Sequence, residues 1–469
     1  MTLSSAWRTR CVRLVPSAAS LASALAGALL LATACSSGRR TGIPEAPTVR
    51  VDSAPPPGEV RPPWSIDEVT PAPEVSLNIG QPVRIALARG ERRIAISGTG
   101  DWRLYDSGGE STLLRAAGGE IWAVEAVRGA LRAVGDEGTV TSLRPAPFVV
   151  RPAGQGAFIT VDGKSYRGEV WLFADGEGVT AVNRLAIENY LRGVVPLEIG
   201  NRAQSERAAV EAQAVAARSY AYTHLASQGT RLYDMVSTVM DQVYGGVKAE
   251  TPLSDAAVAS TVGLVLTYHG VVVNAPYSST CGGSTARASE VWPRSGDEPY
   301  LVPVSDRIPG TDSYYCDISP RFRWTRTFTE AALKSTLDRY LRNYVSVPRG
   351  GPGRPRSVKV EGHTPSGRVR TLVITTDRGR YTLRENDIRF VLRSGSGEIL
   401  NSTYFSLEER RDGGGRGKLG SLVVRGSGYG HGIGMCQWGA IGRARAGQDF
   451  REILRTYYPG TVVTTMTGD

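Results

Sequence analysis

The sequence predicts an α+β fold: a β-rich core with one long alanine-rich helix and a C-terminal helical segment, preceded by a small β-rich subdomain. Three observations lead there. From Val75 to about Pro145, short apolar runs alternate with polar residues at a spacing of two, as half-buried strands require. Between Glu206 and about Ala226, Val210, Ala214, Ala217, Ala221 and Leu225 fall at helical spacing, a buried stripe made mostly of alanine. Phe450, Ile453, Leu454 and Tyr457 repeat helical spacing near the C-terminus.

The N-terminal residues form no part of that fold. Arg8, Arg10 and Arg13 precede an apolar run, Leu14 to Ala34, which ends in the small residues Ala32-Thr33-Ala34 before Cys35. Charge, apolar run and small residues make residues 1–34 a secretion signal, and Cys35 directly after them resembles the lipidated cysteine of a bacterial lipobox, although Ala32 stands where Leu is usual. A plain cleaved signal or a retained anchor is the alternative; each puts the mature protein outside the cytoplasm. Residues 35–74 follow, with nine prolines between Pro44 and Pro73 and almost no apolar periodicity. Such a segment buries too little surface to offset its ordering entropy and reads as a tether.

Residues 75–150 then supply strands at Val83 to Leu87, Ile94 to Ile96, Ile121 to Val127 and Thr139 to Leu143. Residues 151–469 are read as one further domain. Phe158 to Val161 and Tyr166 to Phe173 flank an Asp162-Gly163 turn and predict a hairpin. A helix-like segment at Asn183 to Leu191 precedes Val194-Val195-Pro196-Leu197-Glu198, and Ser205 is placed to cap the long helix. Strands return at Val262 to Tyr268 and Val271 to Asn274, and again between Ser357 and Phe390. The 55 glycines and 27 prolines fit the many turns this layout needs. A net charge of +10 is dispersed, three of it in the leader, so no basic patch with interleaved aromatics points to nucleic acid.

Four blocks, in order, resemble the stage II sporulation protein D / amidase-enhancer LytB family. They are NYLRGVVPLEIG with AVEAQAVAARSYAY (Asn189 to Tyr222), DQVYGG (Asp241 to Gly246), YSSTCGGSTARASEVWP (Tyr277 to Pro293) and GSGYGHGIGMCQWGAIGRARAG (Gly426 to Gly447). The resemblance implies work on the cell wall. Sporulation members of that family are lytic transglycosylases acting on peptide-stripped glycan strands; LytB members are enhancers of an N-acetylmuramoyl-L-alanine amidase. The acid–base Glu of the transglycosylase branch matches Glu198 here. The chemistry asks for such a group: the leaving glycosidic oxygen needs a proton, and a carboxyl with raised pKa delivers it. Valine, proline and leucine before Glu198, with Ile199 after it, favour the neutral form. Without the resemblance, Glu198 reads first as a surface charge beside a helix.

The other site candidates each carry a structural alternative. Arg218 orients Glu198 or binds a muramyl carboxylate, or else pairs with Glu211 on one helix face. Gln242 and Tyr244 offer an amide and an aromatic platform to a sugar, or are core. Ser278, Ser279 and Thr280 beside Gly282 and Gly283 line a glycan groove or form a structural turn. His431 and Gln437, in a glycine-rich block, are groove residues or packed turn residues. Cys281 and Cys316 are expected to form a disulfide outside the cytoplasm, with Cys436 free. A Cys/His site pairing His431 with Cys281 or Cys436 is a rival reading. Some sporulation members carry a zinc site after the long helix, but Tyr222 to Gly246 has no Cys and only His224, so that zinc is not carried over and no metal or cofactor is expected. The expected partners are glycan strands, a membrane reached through a lipid on Cys35, and a cell-wall amidase in the enhancer reading.

Overall fold

Alternating burial, in–out–in along Ile94–Gly98 and Trp102–Tyr105, shows strands with one face on a core. The computed structural model describes residues 82–107, 109–225, 231–292, 296–413 and 417–466; the leader, Cys35 and the proline-rich tether lie outside them. The architecture is α+β. A seven-stranded sheet runs Met235–Val236, Val83–Glu91, Gly178–Leu185, Glu169–Asp175, Phe148–Pro152, Trp102–Tyr105, Thr112–Ala116. A six-stranded sheet, containing Ile94–Gly98 and Trp122–Val127, packs on it through one apolar cluster that includes Ile85, Ile96, Val124, Leu131, Phe148 and Leu172.

The boundary placed at residue 150 is corrected by this topology. Phe148–Pro152 lies inside the larger sheet, paired with Trp102–Tyr105 on one side and Glu169–Asp175 on the other. Thr139 to Leu143 is not a strand; only Val140 makes an isolated bridge, to Val134.

The strand Gly178–Leu185 is buried at every position but Arg184, since it lies between Val83–Glu91 and Glu169–Asp175 and packs against Trp122–Val127 of the other sheet. Helix α1 (Ile187–Ile199) and helix α2 (Arg207–Leu225) belong to the same core. Helix α1 contains the stretch expected to follow a helix, Pro196 included: a proline near the C-terminal end removes one amide bond but leaves the earlier turns intact. Ser205 caps nothing; a 3₁₀ turn, Gln204–Glu206, leads into α2, and Glu206 accepts the Ala203 amide at 3.1 Å. Ala209, Ala212, Ala214, Ala216, Ala217 and Ala221 are all buried, so α2 is enclosed nearly all round, and its lack of bulk allows close neighbours. Those neighbours include helix α3 (Pro252–Ser260) and the strand Leu264–Tyr268.

Residues 323–427 hold a second apolar cluster that the sequence reading did not separate. Helix α4 (Glu330–Tyr340), helix α5 (Asp387–Val391) and two three-stranded sheets enclose Leu333, Leu337, Leu372, Ile374, Leu422 and Val424. The chain then returns to the first core with helix α6 (Gln437–Arg445) and helix α7 (Phe450–Tyr457), buried through Ile453, Leu454 and Tyr457 and capped by Asp449.

Candidate active site

Glu198 sits in the last turn of α1, a helix held in the core by Leu191, Val194 and Val195. Gly193 allows the helix to lie against Tyr244, since a Cβ there would meet that ring at 2.6 Å. Gly200, at φ +78°, ends the helix directly after the site. The carboxylate is half-buried, and its Oε1 accepts the Val243 amide at 2.8 Å. Gln437, the first residue of α6, also donates to it and reaches Gln213 on α2 at 3.2 Å. Burial raises the Glu198 pKa, and the two hydrogen bonds to the charged form offset this only in part.

Three phenols face this carboxyl from three elements: Tyr190 on α1, Tyr220 on α2 and Tyr277 at the start of the short strand Tyr277–Ser278. Burial pushes all three above the usual tyrosine range, helped by the Glu198 charge and, for Tyr220, more strongly by Asp241, so they remain neutral donors. Gln242 organises two of them, accepting from Tyr190 Oη at 3.1 Å and donating to Tyr277 Oη at 2.9 Å. Its second amide proton goes to the Ala217 carbonyl at 3.2 Å. A further carboxylate in this network is Asp241, whose two oxygens accept the Val236 amide (2.7 Å) and the Tyr220 hydroxyl (3.3 Å).

Several expected groove residues are placed elsewhere. Arg218 is fully buried and grips Glu188 through two bonds of 2.8 and 2.7 Å, with a third to the Leu264 carbonyl; it does not touch Glu198 or Glu211. Glu211 pairs instead with Arg207. Gln242 is spent inside the network, and Tyr244 is enclosed between Tyr166 and Tyr190 with its hydroxyl on Asn183, so neither offers a sugar platform. Ser278 and Thr280 are buried, and Ser278 Oγ accepts the Gly432 amide. Gly282, at φ +81°, lies so close to Ser427 and Gly428 that a Cβ would come within 2.9 Å of them; Gly283 likewise faces Tyr314. The loop is therefore chiefly a structural turn, with Ser279 half-exposed.

His431 donates Nε2–H to the Tyr277 carbonyl at 2.8 Å and accepts the Ile433 amide on Nδ1. Burial pushes its pKa down to about 3, so the ring is neutral. Neither nitrogen reaches a thiol, which leaves the Cys/His reading without its pair. The expected disulfide is also corrected: Cys281 and Cys316 are free, with sulfurs 3.7 Å apart rather than about 2.05 Å.

Residues 175–268 match the family model described as stage II sporulation protein, and residues 312–434 match a domain of unknown function, DUF8618. Stage II sporulation protein D of Bacillus subtilis (strain 168) is 32% identical over 302 residues, covering 61% of this chain and 76% of that protein. The chain belongs to the stage II sporulation protein D / amidase enhancer family. The Amidase enhancer of the same strain is 32% identical over 336 residues, 66% of this chain but 45% of that protein's length. An uncharacterized protein of Brachyspira hyodysenteriae is 31% identical over 304 residues, 64% of this chain and 73% of that one.

The family match at 175–268 contains Glu198, Tyr190, Tyr220 and the Val243 amide. The sequence reading missed the three tyrosines. A usable signal existed for Tyr190, which lies two helical turns before Glu198 and so shares its side of α1. Tyr277 opens one of the four blocks that carry the resemblance, but its place beside Glu198 depends on the strand pairing of Tyr277–Ser278 with Met435–Cys436.

Proposed function

We propose that this protein is a cell-wall lytic transglycosylase that cleaves peptide-stripped glycan strands with Glu198 as the single acid–base group. The observation that carries this reading is a half-buried carboxyl of raised pKa, ringed by neutral phenols; the other carboxylate of the network, Asp241, already accepts the Val236 amide and the Tyr220 hydroxyl. Hydrolysis of a glycoside needs a second carboxylate to activate water or attack the sugar. Internal transfer does not. Protonated Glu198 gives its proton to the bridging oxygen as the C1–O bond breaks. The resulting carboxylate then takes the proton of the muramyl C6 hydroxyl as O6 bonds to C1, leaving a 1,6-anhydro end. Tyr277 Oη, which accepts from Gln242 and has no acceptor for its own proton among the described residues, is available to hold a sugar oxygen.

A second reading is favoured by the similarity to a protein named Amidase enhancer: the same groove binds glycan without cutting it and supports an amidase. In both readings the protein is exported and held to a membrane by a lipid on Cys35, which the charged and apolar leader and the small residues before that cysteine support. Incubation with denuded glycan and mass analysis of the products separates the two. The expected products end in 1,6-anhydromuramic acid, and Glu198→Gln lowers turnover by about 10²–10⁴-fold while glycan binding survives. Reducing muramic ends would indicate hydrolysis. No release by either protein, with equal stimulation of an amidase, would overturn the transglycosylase reading.

A further inference from the structure

Behind the Glu198 site lies a group that neither reading uses. Cys281, Cys316, Cys436 and Asp306 are all buried, and one ligand atom from each lies within 4.8 Å of every other. They arrive from separate places: the Ser/Thr/Gly loop, the segment after it, and the residue that caps α6. We propose that these four side chains form a tetrahedral site for a divalent cation, zinc above all.

Geometry is the first support. Zinc–sulfur bonds of about 2.3 Å at tetrahedral angles set sulfurs about 3.8 Å apart. The Cys281 and Cys316 sulfurs are 3.7 Å apart, and Cys281 Sγ lies 4.0 Å from Asp306 Oδ2. Asp306 presents Oδ2 because Oδ1 is taken by the Tyr457 hydroxyl at 2.7 Å and by Arg443 at 3.2 Å, the kind of outer bonding that orients a ligand carboxylate. Cys436 Sγ accepts the Cys281 amide at 3.1 Å and the Gly439 amide at 3.3 Å, bonds suited to a thiolate.

Charge is the second support. Arg368 is fully buried, donates only to the carbonyls of Cys281 and Ser284, leaves Nε without a partner and forms no ion pair among the described residues. A buried guanidinium without an anion is costly. Three thiolates and one carboxylate around a divalent ion leave two negative charges, which Arg368 and Arg443 match. Binding expels the thiol protons, so no oxidant or reductant is needed.

The site also bears on Glu198. Gln437, which donates to that carboxyl, directly follows Cys436, and Gly439 lies so close to Asp306 that a Cβ would sit 2.4 Å from Oδ2. The cation would pin the start of α6, and Gln437 with it.

The test is metal analysis of the full chain purified under reducing conditions, followed by cobalt replacement. One zinc per chain is expected, and Co²⁺ should give thiolate-to-cobalt and tetrahedral ligand-field absorption, unchanged in Cys11→Ser/Cys35→Ser. Cys316→Ser should lose the spectrum. Should that variant fail to fold, Tyr457→Phe, which removes one outer bond to Asp306, is expected to weaken zinc binding by about 10–100-fold. A folded wild type that takes up neither zinc nor cobalt overturns the proposal. So does recovery of a Cys281–Cys316 disulfide from protein isolated from cells.

Discussion

Replacing Arg218 with methionine separates a structural from a substrate-binding role. The guanidinium is fully buried in α2, and its partner Glu188, in the first turn of α1, keeps 28% of its side chain exposed. Breaking a buried pair costs about 3–5 kcal/mol, chiefly through the charge left behind. In Arg218→Met that charge is Glu188, which can rehydrate, still accepts the Gly263 amide at 3.3 Å and still faces a helix N-terminus. The expected loss is therefore near the lower end, about 3 kcal/mol. In Glu188→Met the charge left behind is Arg218, sealed from water with only backbone carbonyls, and the loss should approach about 5 kcal/mol. The double replacement should cost less than Glu188→Met alone, because neither charge remains buried and unpaired. Urea unfolding followed by tryptophan fluorescence, with the slopes compared across variants, measures all three. An Arg218→Met loss below about 1 kcal/mol, or one exceeding that of Glu188→Met, would refute the reasoning. Turnover that falls while stability holds would restore Arg218 to the groove.

Further outcomes follow from the same geometry. Glu198 has a raised pKa in the folded protein, so its ionisation is resisted by the fold: the stability present below the usual carboxylate range is lost as pH rises through the folded pKa. Glu198→Gln should therefore melt higher than wild type at neutral pH and show a much smaller difference in acid. His431 has the opposite sign. Its pKa falls from 6.5 to about 3, so stability present above pH 6.5 is lost as pH drops towards 3, with a slope of up to about 1.4 kcal/mol per pH unit. Thermal melts of His431→Asn across that window should show a flatter dependence; an unchanged slope would refute the neutral buried ring. Cys35→Ala should move the protein from the membrane fraction to the soluble one, and an undiminished membrane fraction would argue against a lipid there.

Much of the architecture was legible because it rests on local periodicity. The strands at Val83 and Ile94, the long alanine helix and the amphipathic α7 all announce themselves through spacing, which survives in any context that buries one face. The division at residue 150 failed because strand pairing is non-local: Phe148–Pro152 carries no mark of having partners on both sides. The second core escaped notice for the same reason. It closes only when the strand Leu419–Ser427 lies between Arg323–Thr329 and Phe405–Arg411.

The sequence by itself determined the residue types from which a site can be built: a glutamate among apolar neighbours, a block of glycines, and a loop rich in serine and threonine. Tertiary structure decided what each of them does. Arg218 and Gln242 carry the same polar groups in isolation as any sugar-binding residue, yet packing assigned one to Glu188 and the other to two tyrosines. Cys281 and Cys436 lie 155 positions apart and touch only because two short parallel strands bring their loops together. The pKa of Glu198 likewise belongs to the fold, since desolvation depends on every element that closes over a group and not on the residues beside it in the chain.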